Sequence, residues 1–180
     1  MNDLKNRIAL VTGGSRGIGA AVAIALAKAG ADVAVNYRER ADAANAVCSE
    51  ITGKGRRAIA VQSDVSVVAE VRRMVAEVEA SLGGIDILVN NAAIAHPRKL
   101  EEITEAEWDK VLTVNLKSVF LVTQAVVAPM RERKWGRIIN LSSVAAQTGG
   151  AVGAHYAASN GNHRADALLC FIAHSRRNHR

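Results

Sequence analysis

Short apolar segments alternate with longer segments of helical periodicity along the chain, and this alternation limits the possible folds more than any other feature. Strands that are apolar along their whole length are typical of a parallel sheet covered on both faces. Right-handed crossover connections between such strands produce a doubly wound sheet. The sequence therefore predicts an α/β fold with five strands, at Arg7–Thr12, Asp32–Asn36, Ala58–Gln62, Ile85–Asn90 and Arg137–Ser142.

The segments that separate these strands have the apolar spacing of helices that pack against a sheet. Gly30 is expected to end the first helix, because glycine is common just beyond a helix C-terminus. Glu107 stands three residues after Thr104, which is the spacing of a capping box and predicts that a helix begins there. The predicted helices are Gly17–Ala29, Ala41–Thr52, Val67–Leu82 and a long one from Thr104 to about Met130.

The composition is that of a globular protein with one domain. The chain has 180 residues, of which 49% are hydrophobic and 22% are charged, and this is enough to bury a sizeable core. No uninterrupted apolar run looks long enough to cross a bilayer, and the N-terminus lacks the apolar middle of a signal peptide. A cytoplasmic protein without membrane contact is therefore expected. Cys48 and Cys170 are too few and too distant in sequence to suggest a disulfide framework or a metal site.

The net charge of +6 is unevenly distributed. No basic stripe with interleaved aromatic residues, of the kind that binds nucleic acid, is found before residue 161. Nucleic acid is therefore not an expected partner, and binding through a basic tail remains a distant alternative. Half of the excess charge comes from residues 161–180, where Asp166 is outnumbered by Arg164, Arg176, Arg177 and Arg180.

A glycine-rich segment directly follows the first predicted strand and opens the first helix. Glycines at such a turn let the backbone approach a pyrophosphate, and the helix N-terminus adds N–H groups and a partial positive charge. A tight turn that binds nothing is the alternative, since it also needs glycine. The position inside a βαβ unit favours a dinucleotide, with contacts expected at Gly13, Ser15, Arg16, Gly17, Ile18 and Gly19.

The end of the second strand bears on the choice between NAD and NADP. NAD-binding units usually place an acid there to bind the ribose 2′-hydroxyl, but the sequence at residues 36–38 is Asn-Tyr-Arg. Arg38 and Arg16 are suited to a 2′-phosphate instead, because a guanidinium matches phosphate geometry. The alternative is that both arginines are solvated surface residues. We therefore expect NADP or NADPH as the cofactor, with Tyr37 and Arg38 at its site.

Ser143 and Tyr156 are candidates for carbonyl chemistry. A tyrosine has an ordinary pKa of about 10, so it donates a proton efficiently near neutral pH only if it is well positioned and close to a cation. A serine hydroxyl can hold the same carbonyl oxygen. Neither residue type is informative alone, and their meaning depends on the surrounding motifs.

Taken together, these motifs resemble the short-chain dehydrogenase/reductase family over about residues 4–159. The resemblance includes the glycine-rich segment at residues 13–19 (the glycine turn), Asp64-Val65 after the third strand and Asn91-Ala92 after the fourth. It also includes Asn115 in the long helix, Ser143 after the fifth strand, and Tyr156 thirteen residues later. Within the family, the stretches GGSRGIG and VNNAAI are most similar to 3-oxoacyl-[acyl-carrier-protein] reductases, although they recur in reductases of other carbonyl substrates.

The resemblance implies a Rossmann-type domain and a role for each motif. Asp64 and Val65 would flank the adenine, and Asn91, followed by Ala92, would lie near a cofactor ribose. Ser143 would bind the substrate carbonyl, Tyr156 would be the acid in reduction of a 3-oxoacyl thioester, and Asn115 would anchor a proton-relay water. The alternative for Asn91 and Asn115 is that both are buried amides that satisfy backbone groups. The substrate would be a small molecule or an acyl group on a carrier.

Asn160 departs from the family pattern, which has lysine four residues after the tyrosine. The lysine would lower the tyrosine pKa and hold the nicotinamide ribose, so asparagine predicts a turnover loss on the order of 10²–10⁴-fold. The sequence divides into an NADP-binding domain at residues 1–159 and an aberrant basic tail at residues 160–180. We expect the tail to reflect truncation or a frameshift after Ser159, which leaves the C-terminal strands missing and a family tetramer doubtful.

Three further interpretations stay open. The chain could be a catalytically inactive NADP-binding fragment, which binding without turnover would indicate. It could be a reductase of another carbonyl substrate, because the sequence does not define acyl length or stereochemistry. It could also be an unstable translation product, which poor resistance to proteases would indicate.

Overall fold

The computed structural model describes residues 4–149 and 152–161. The interpretation of the tail concerns mostly residues 162–180, including Cys170 and the last four arginines, and these lie outside the described residues. Within the described part, the strands form one parallel sheet in the order β3-β2-β1-β4-β5. They are β1 (Ile8–Val11), β2 (Asp32–Tyr37), β3 (Ala58–Gln62), β4 (Ile87–Asn90) and β5 (Arg137–Asn140). The predicted five-strand doubly wound architecture is confirmed.

The helices connect successive strands and cover both faces of the sheet. The predicted ends of the first three helices are correct to within one or two residues. Gly30 lies just beyond α1 with a positive φ of 108°, as expected of a glycine that follows a helix. Two short helices follow β5 and carry the residues around the candidate tyrosine. The helices are α1 (Gly17–Lys28), α2 (Ala41–Thr52), α3 (Val68–Ser81), α4 (Glu105–Leu112), α5 (Ser118–Glu132), α6 (Ala145–Thr148) and α7 (Ala154–Ser159).

Two apolar cores lie on opposite faces of the sheet, because successive side chains of a strand point to opposite faces. On one face Leu10 and Leu88 belong to a core with residues of α3 and α5, including Met74. On the other face Val11 and Val89 belong to a core with residues of α1 and α2. This arrangement explains why the strands are apolar along their whole length.

The long helix predicted from Thr104 to Met130 is not continuous in its hydrogen bonding. Its beginning is correct, because Thr104 Oγ1 accepts a 3.2 Å hydrogen bond from the Glu107 backbone N–H and Glu107 Oε2 accepts one from the Thr104 N–H. A π-helical turn at Thr113–Lys117 then separates α4 from α5. Such turns insert one extra residue and are frequent at functional sites. The apolar periodicity of a sequence cannot reveal a π-helical turn, because the helix continues before and after it.

The helical stretch Glu105–Glu132, formed by α4, the π-helical turn and α5, is long and apolar enough to cross a membrane by length and composition, with a mean hydropathy of 1.7 in its most apolar window. The expectation concerned uninterrupted apolar runs, and this stretch is interrupted by charged residues such as Asp109, Lys110 and Lys117. The buried side chains of α5, including Val122 and Val126, pack in the core beneath the sheet. A core helix of this kind meets the same criteria, so the stretch is weak evidence for a membrane span.

The order in which strands are added to the sheet reverses between β1 and β4, which are parallel neighbours in the sheet although two strands separate them in sequence. Ligands of open parallel sheets bind at such a switch point, beyond the carboxyl ends of the strands. Thr12 joins the two strand ends here: its Oγ1 accepts hydrogen bonds of 3.0 and 3.1 Å from the N–H groups of Asn91 and Ala92. The fold therefore fixes the two loops that border the crevice.

Candidate functional site

A cleft of about 450 Å³ opens at the carboxyl edge of the sheet, over the switch point. Its wall comes from the loops after β1, β2, β3 and β4 and from Val114 of the π-helical turn. Every predicted cofactor residue except Gly19 contributes to this wall, and Gly19 packs against Gly13 and Asn91, which do. The predicted residues in the lining are Gly13, Ser15, Arg16, Gly17, Ile18, Tyr37, Arg38, Asp64, Val65, Asn91 and Ala92.

The glycine turn is packed tightly on one side and open on the other. A Cβ at Gly19 would lie 2.5 Å from Asn91 Nδ2 and from the Gly13 carbonyl oxygen, and one at Gly13 would lie 2.9 Å from the Ala92 Cα. These distances leave no room for a side chain. At Gly17, where φ is +56°, a Cβ would meet nothing within 4 Å. The backbone at Gly17 thus borders a space that a ligand can enter.

The N-terminus of α1 faces this space without a charge that would compete with an anion. The first turn contains no acidic residue, and the residue at the cap, Arg16, makes no capping hydrogen bond with its side chain. The first N–H groups of a helix lack intrahelical partners and carry partial positive charge. A phosphate placed against Gly17 and Ile18 would satisfy them.

Asn36 holds three strand ends together, a role that sequence reasoning missed. The side chain is 2% exposed. Its Oδ1 accepts a 3.2 Å hydrogen bond from the Gly13 N–H, and its Nδ2 donates to the carbonyls of Val61 and Ser63 at 3.3 and 3.1 Å. Asn36 therefore shapes the glycine turn from the neighbouring strand. The signal for this role in the sequence was a single amide side chain in an otherwise apolar strand.

The end of β2 carries a carboxylate that the prediction also missed. Residues 36–38 contain none, but Glu39 lines the cleft and accepts a 2.9 Å hydrogen bond from Nε of Arg38. Nη2 of Arg38 contacts the same carboxylate oxygen, so the pair is bidentate from the arginine side. The expectation considered residues 36–38 alone, and the next residue adds a carboxylate to the same cleft.

Asp64 and Val65, which the resemblance assigns to the adenine, line the cleft. Oδ1 of Asp64 accepts a 2.9 Å hydrogen bond from the Ser66 N–H, and the Asp64 N–H donates to Oε2 of Glu70 at 2.7 Å. These bonds fix the loop between β3 and α3. Next to it, the buried hydroxyl of Ser63 has no hydrogen-bond partner among the described residues. An unsatisfied hydroxyl in the cleft wall fits a polar ligand.

Asn91 and Asn115 both have amides that satisfy backbone groups, as the alternative interpretation held. Asn91 Nδ2 donates to the carbonyls of Thr12 and Gly13 at 2.9 and 3.0 Å. Asn115 accepts from the Ile94 N–H at 2.8 Å, and its Nδ2 donates to the Ile94 carbonyl at 2.9 Å. Both residues hold the loop after β4. Asn91 nevertheless lines the cleft, whereas Asn115 does not.

The predicted catalytic hydroxyls lie beyond the lining of the cleft. Ser143 Oγ accepts a 3.2 Å hydrogen bond from the Ala145 N–H at the beginning of α6. Tyr156 is half-buried in α7, which packs against α4 and α6. Within residues 4–149 and 152–161, no hydrogen bond joins the Ser143 and Tyr156 hydroxyls. The structure thus brings nearly all the predicted cofactor residues together around one cleft, whereas Ser143 and Tyr156, the predicted catalytic pair, are not part of its lining.

Asn160 occupies the position at which the family pattern has lysine, and its amide is directed to its own helix. Nδ2 donates to the Tyr156 carbonyl at 2.9 Å, and the Asn160 carbonyl accepts a 2.8 Å bond from Oγ of Ser142. The residue is buried and closes the C-terminus of α7. One residue earlier, Ser159 Oγ accepts a hydrogen bond from Asn115 Nδ2 at 3.0 Å, which ties α7 to the π-helical turn.

Comparison with known proteins identifies the family. The model of the short chain dehydrogenase family matches residues 7–164. The chain belongs to this family. It is 44% identical over 154 residues to the 3-oxoacyl-[acyl-carrier-protein] reductase FabG of Staphylococcus epidermidis, an alignment that covers 86% of this chain and 63% of that reductase. The chain thus spans a little less than two thirds of the length of this relative.

Solved structures of family members have the same fold. A protein from Sinorhizobium meliloti described as a short-chain alcohol dehydrogenase superposes with a TM-score of 0.88 at 39% identity, covering 95% of this chain and 69% of that one. A short chain dehydrogenase from Burkholderia cenocepacia, in complex with NADP, superposes with a TM-score of 0.80 at 42% identity, covering 89% and 65%. The family resemblance seen in the sequence and the Rossmann-type fold are both confirmed.

Proposed function

We propose that this chain binds NADPH in the cleft and derives from, or acts as, a reductase of 3-oxoacyl thioesters. The observation that carries the proposal is the glycine turn, which is closed against Asn91 and Ala92 but open at Gly17, in front of an uncapped helix N-terminus. The similarity to 3-oxoacyl-[acyl-carrier-protein] reductases supports the substrate class. A family member in complex with NADP supports the cofactor.

The residues of the cleft fit the chemical parts of a dinucleotide phosphate. The N–H groups at Gly17 and Ile18 would hold the pyrophosphate. Asp64 and Val65 would flank the adenine, and the guanidinium groups of Arg16 and Arg38 would face the 2′-phosphate. NADPH, when bound, supplies the hydride, and the protein supplies binding and orientation.

The chain's own hydroxyls would complete the reduction. Ser143 would donate a hydrogen bond to the substrate carbonyl oxygen and so orient it. Tyr156 would then transfer its proton to that oxygen as the carbonyl carbon is reduced, which gives a 3-hydroxyacyl product. Asn160 carries no charge, so it cannot favour the tyrosinate that remains after the proton transfer. Turnover is therefore expected to be slow even where NADPH binds.

An NADP-binding module without turnover is the second candidate. The hydrogen bond from Asn160 to the Tyr156 carbonyl favours it, because this amide serves the helix rather than a cofactor. The two candidates share the cleft and differ only in chemistry at Tyr156. Binding and turnover therefore have to be measured on the same preparation.

The test combines calorimetric titration with NADPH and an assay of NADPH oxidation in the presence of acetoacetyl-coenzyme A. Binding with slow oxidation that Tyr156→Phe abolishes supports the reductase. Binding with oxidation that does not exceed the no-enzyme rate supports the module without turnover. A folded protein that does not bind NADPH contradicts both.

A further inference from the structure

The helix that carries Tyr156 is tied to the region of the cleft by a hydrogen bond between two buried side chains, 44 positions apart in sequence. Asn115 Nδ2, in the π-helical turn, donates to Ser159 Oγ at 3.0 Å. Asn115 is 7% exposed and Ser159 is 1% exposed. Neither the motifs nor the proposed function gives Ser159 a role.

On the cleft side, the amide of Asn115 holds the backbone of Ile94, which belongs to the cleft wall. Oδ1 accepts from the Ile94 N–H at 2.8 Å, and Nδ2 donates to the Ile94 carbonyl at 2.9 Å. The two hydrogens of Nδ2 are therefore divided between Ile94 and Ser159. Because a planar amide cannot turn toward one of these partners without leaving the other, the position of Ile94 constrains that of the Ser159 hydroxyl.

On the helix side, the Ser159 hydroxyl is an acceptor and a donor at once. It accepts from Asn115 and donates to the Tyr156 carbonyl at 2.9 Å. Among the described residues, Ser159 is the only one in α7 whose side chain hydrogen-bonds to another helical segment. This hydroxyl thus joins the backbone of the candidate acid to the amide that holds the cleft wall.

Other hydrogen bonds keep α7 in place independently of Ser159. The Arg98 N–H, in the loop after β4, donates to the Val152 carbonyl at 3.0 Å. The Tyr156 carbonyl also accepts from the N–H and Nδ2 of Asn160. Loss of the Ser159 hydroxyl should therefore leave the helix folded while removing its side-chain link to the cleft wall.

We propose that Ser159 is a positioning residue that couples occupancy of the cleft to the placement of the helix bearing Tyr156. Of the described residues that line the cleft, none belongs to α7, so a ligand held by the surrounding loops acts on this helix through Asn115 and Ser159. The inference rests on the proposed function, because it takes NADPH as the ligand. Bound NADPH reduces the local opening of α7, and this reduction requires the Ser159 hydroxyl.

The test follows amide hydrogen exchange at residues 154–160 with and without saturating NADPH, a readout that does not need turnover. In the wild type we expect NADPH to slow this exchange by roughly fivefold or more, the lower end of ordinary coupling between two sites. In Ser159→Ala, calorimetry should still detect NADPH binding, but the slowing should be lost. Ser159→Thr, which keeps the hydroxyl, should retain the slowing.

Ser118→Ala is the matched control. Ser118 is likewise a buried serine beside the π-helical turn, with 3% exposure, and its Oγ donates to the Val114 carbonyl in its own helical stretch. The same atom is removed and one hydrogen bond to a backbone carbonyl is lost, but no hydrogen bond to α7. The slowing at residues 154–160 should therefore persist.

Three results overturn the role of Ser159 while leaving the cofactor site intact. They are NADPH binding to the wild type without slower exchange at residues 154–160, equal slowing in the wild type and Ser159→Ala, and loss of the slowing in Ser118→Ala as well. A direct contact between NADPH and α7 would give the second result, because it does not depend on Ser159. Failure of the folded wild type to bind NADPH overturns the proposed function together with this inference.

Discussion

The side-chain amide of Asn160 donates a 2.9 Å hydrogen bond to the backbone carbonyl of Tyr156, so the residue four positions after the candidate acid closes its helix. The same carbonyl also accepts hydrogen bonds from the Asn160 backbone N–H at 3.2 Å and from the Ser159 hydroxyl at 2.9 Å, so the amide is a third donor at the end of the helix. This contact is local and structural. It brings no positive charge to the tyrosine, which is the property that reduction near neutral pH would need.

The first prediction concerns Asn160→Lys. A lysine side chain is long enough to leave the helix end and place an ammonium group near Tyr156, so we expect turnover with acetoacetyl-coenzyme A to rise by on the order of 10²-fold or more. Asn160→Gln, which is polar but uncharged, should not produce the rise. Tyr156→Phe combined with Asn160→Lys should remove it. Equal rates for the lysine and glutamine variants would show that charge at this position is not what limits turnover.

The second prediction concerns the close packing at Gly19. A Cβ there would lie 2.5 Å from Asn91 Nδ2 and the Gly13 carbonyl oxygen. We therefore expect Gly19→Ala to lower the free energy of unfolding by about 1–3 kcal/mol and to weaken NADPH binding. Gly53→Ala is the control, because Gly53 has an ordinary φ of −60° and the nearest atom to its Cβ would be at 3.4 Å. Urea unfolding measures the loss of stability in each variant, and an equal loss in Gly19→Ala and Gly53→Ala would contradict the packing argument.

The third prediction concerns the buried carboxylate of Asp32 at the beginning of β2. It accepts hydrogen bonds from the Arg57 backbone N–H and Nε at 3.0 and 2.8 Å and pairs with Arg56 at 2.6 Å. Burial alone raises the pKa of Asp32, but the hydrogen bonds from Arg57 and the charges of Arg56 and Arg57 outweigh it and lower the pKa below its ordinary value.

A lowered folded-state pKa means that the stability contributed by Asp32 is present above the unfolded pKa of about 4 and is lost as the pH falls through the folded value. We expect Asp32→Asn to reduce the free energy of unfolding by about 2–4 kcal/mol near neutral pH and by much less in strong acid. Asp109→Asn, at an exposed site in α4, is the control. Urea unfolding of both variants and the wild type from neutral to strongly acidic pH checks this prediction. A difference in stability between Asp32→Asn and the wild type that does not change with pH would contradict it.

The fourth prediction concerns Cys48, which is buried in α2 against the sheet. Burial raises the pKa of its thiol to about 11, and the thiolate is the reactive form. In a Cys170→Ser background, where Cys48 is the remaining thiol, a thiol reagent should react slowly with native protein at mildly alkaline pH and quickly in denaturant. Fast labelling of the native state would show that α2 does not bury this residue.

The fold could be predicted from the sequence because its determinants are local. Apolar runs such as that ending at Val11 fix the strands, and the need for a close approach fixes the glycines at 13 and 19. The candidate site was predictable in part, since its motifs follow strand ends. Contacts between distant residues were not: Asn36 reaches both Gly13 and Val61, and Asn115 reaches Ser159, 44 positions away.

The ends of elements were also less certain than their existence. The strand predicted to begin at Ile85 begins at Ile87, because Ile85 is apolar and buried without belonging to the ladder. The helix predicted as continuous contains the π-helical turn, which places Asn115 against the loop after β4. In both places the hydrophobic pattern is the same for the two alternatives, and only tertiary hydrogen bonding decides between them.

The most direct measurement of the central claim is NADPH binding to Gly17→Asp by calorimetry. Gly17 has a φ of +56° and open space above it, so an aspartate side chain has room there and would place a negative charge where the pyrophosphate would lie, with a backbone strain that aspartate tolerates better than most residues. Gly55→Asp is a matched control, with a φ of +75°, the same open surroundings and a position outside the cleft. The account predicts saturable NADPH binding to the wild type and Gly55→Asp, and a loss of about 100-fold or more in Gly17→Asp. Equal binding by the two variants, or none by the folded wild type, would contradict it.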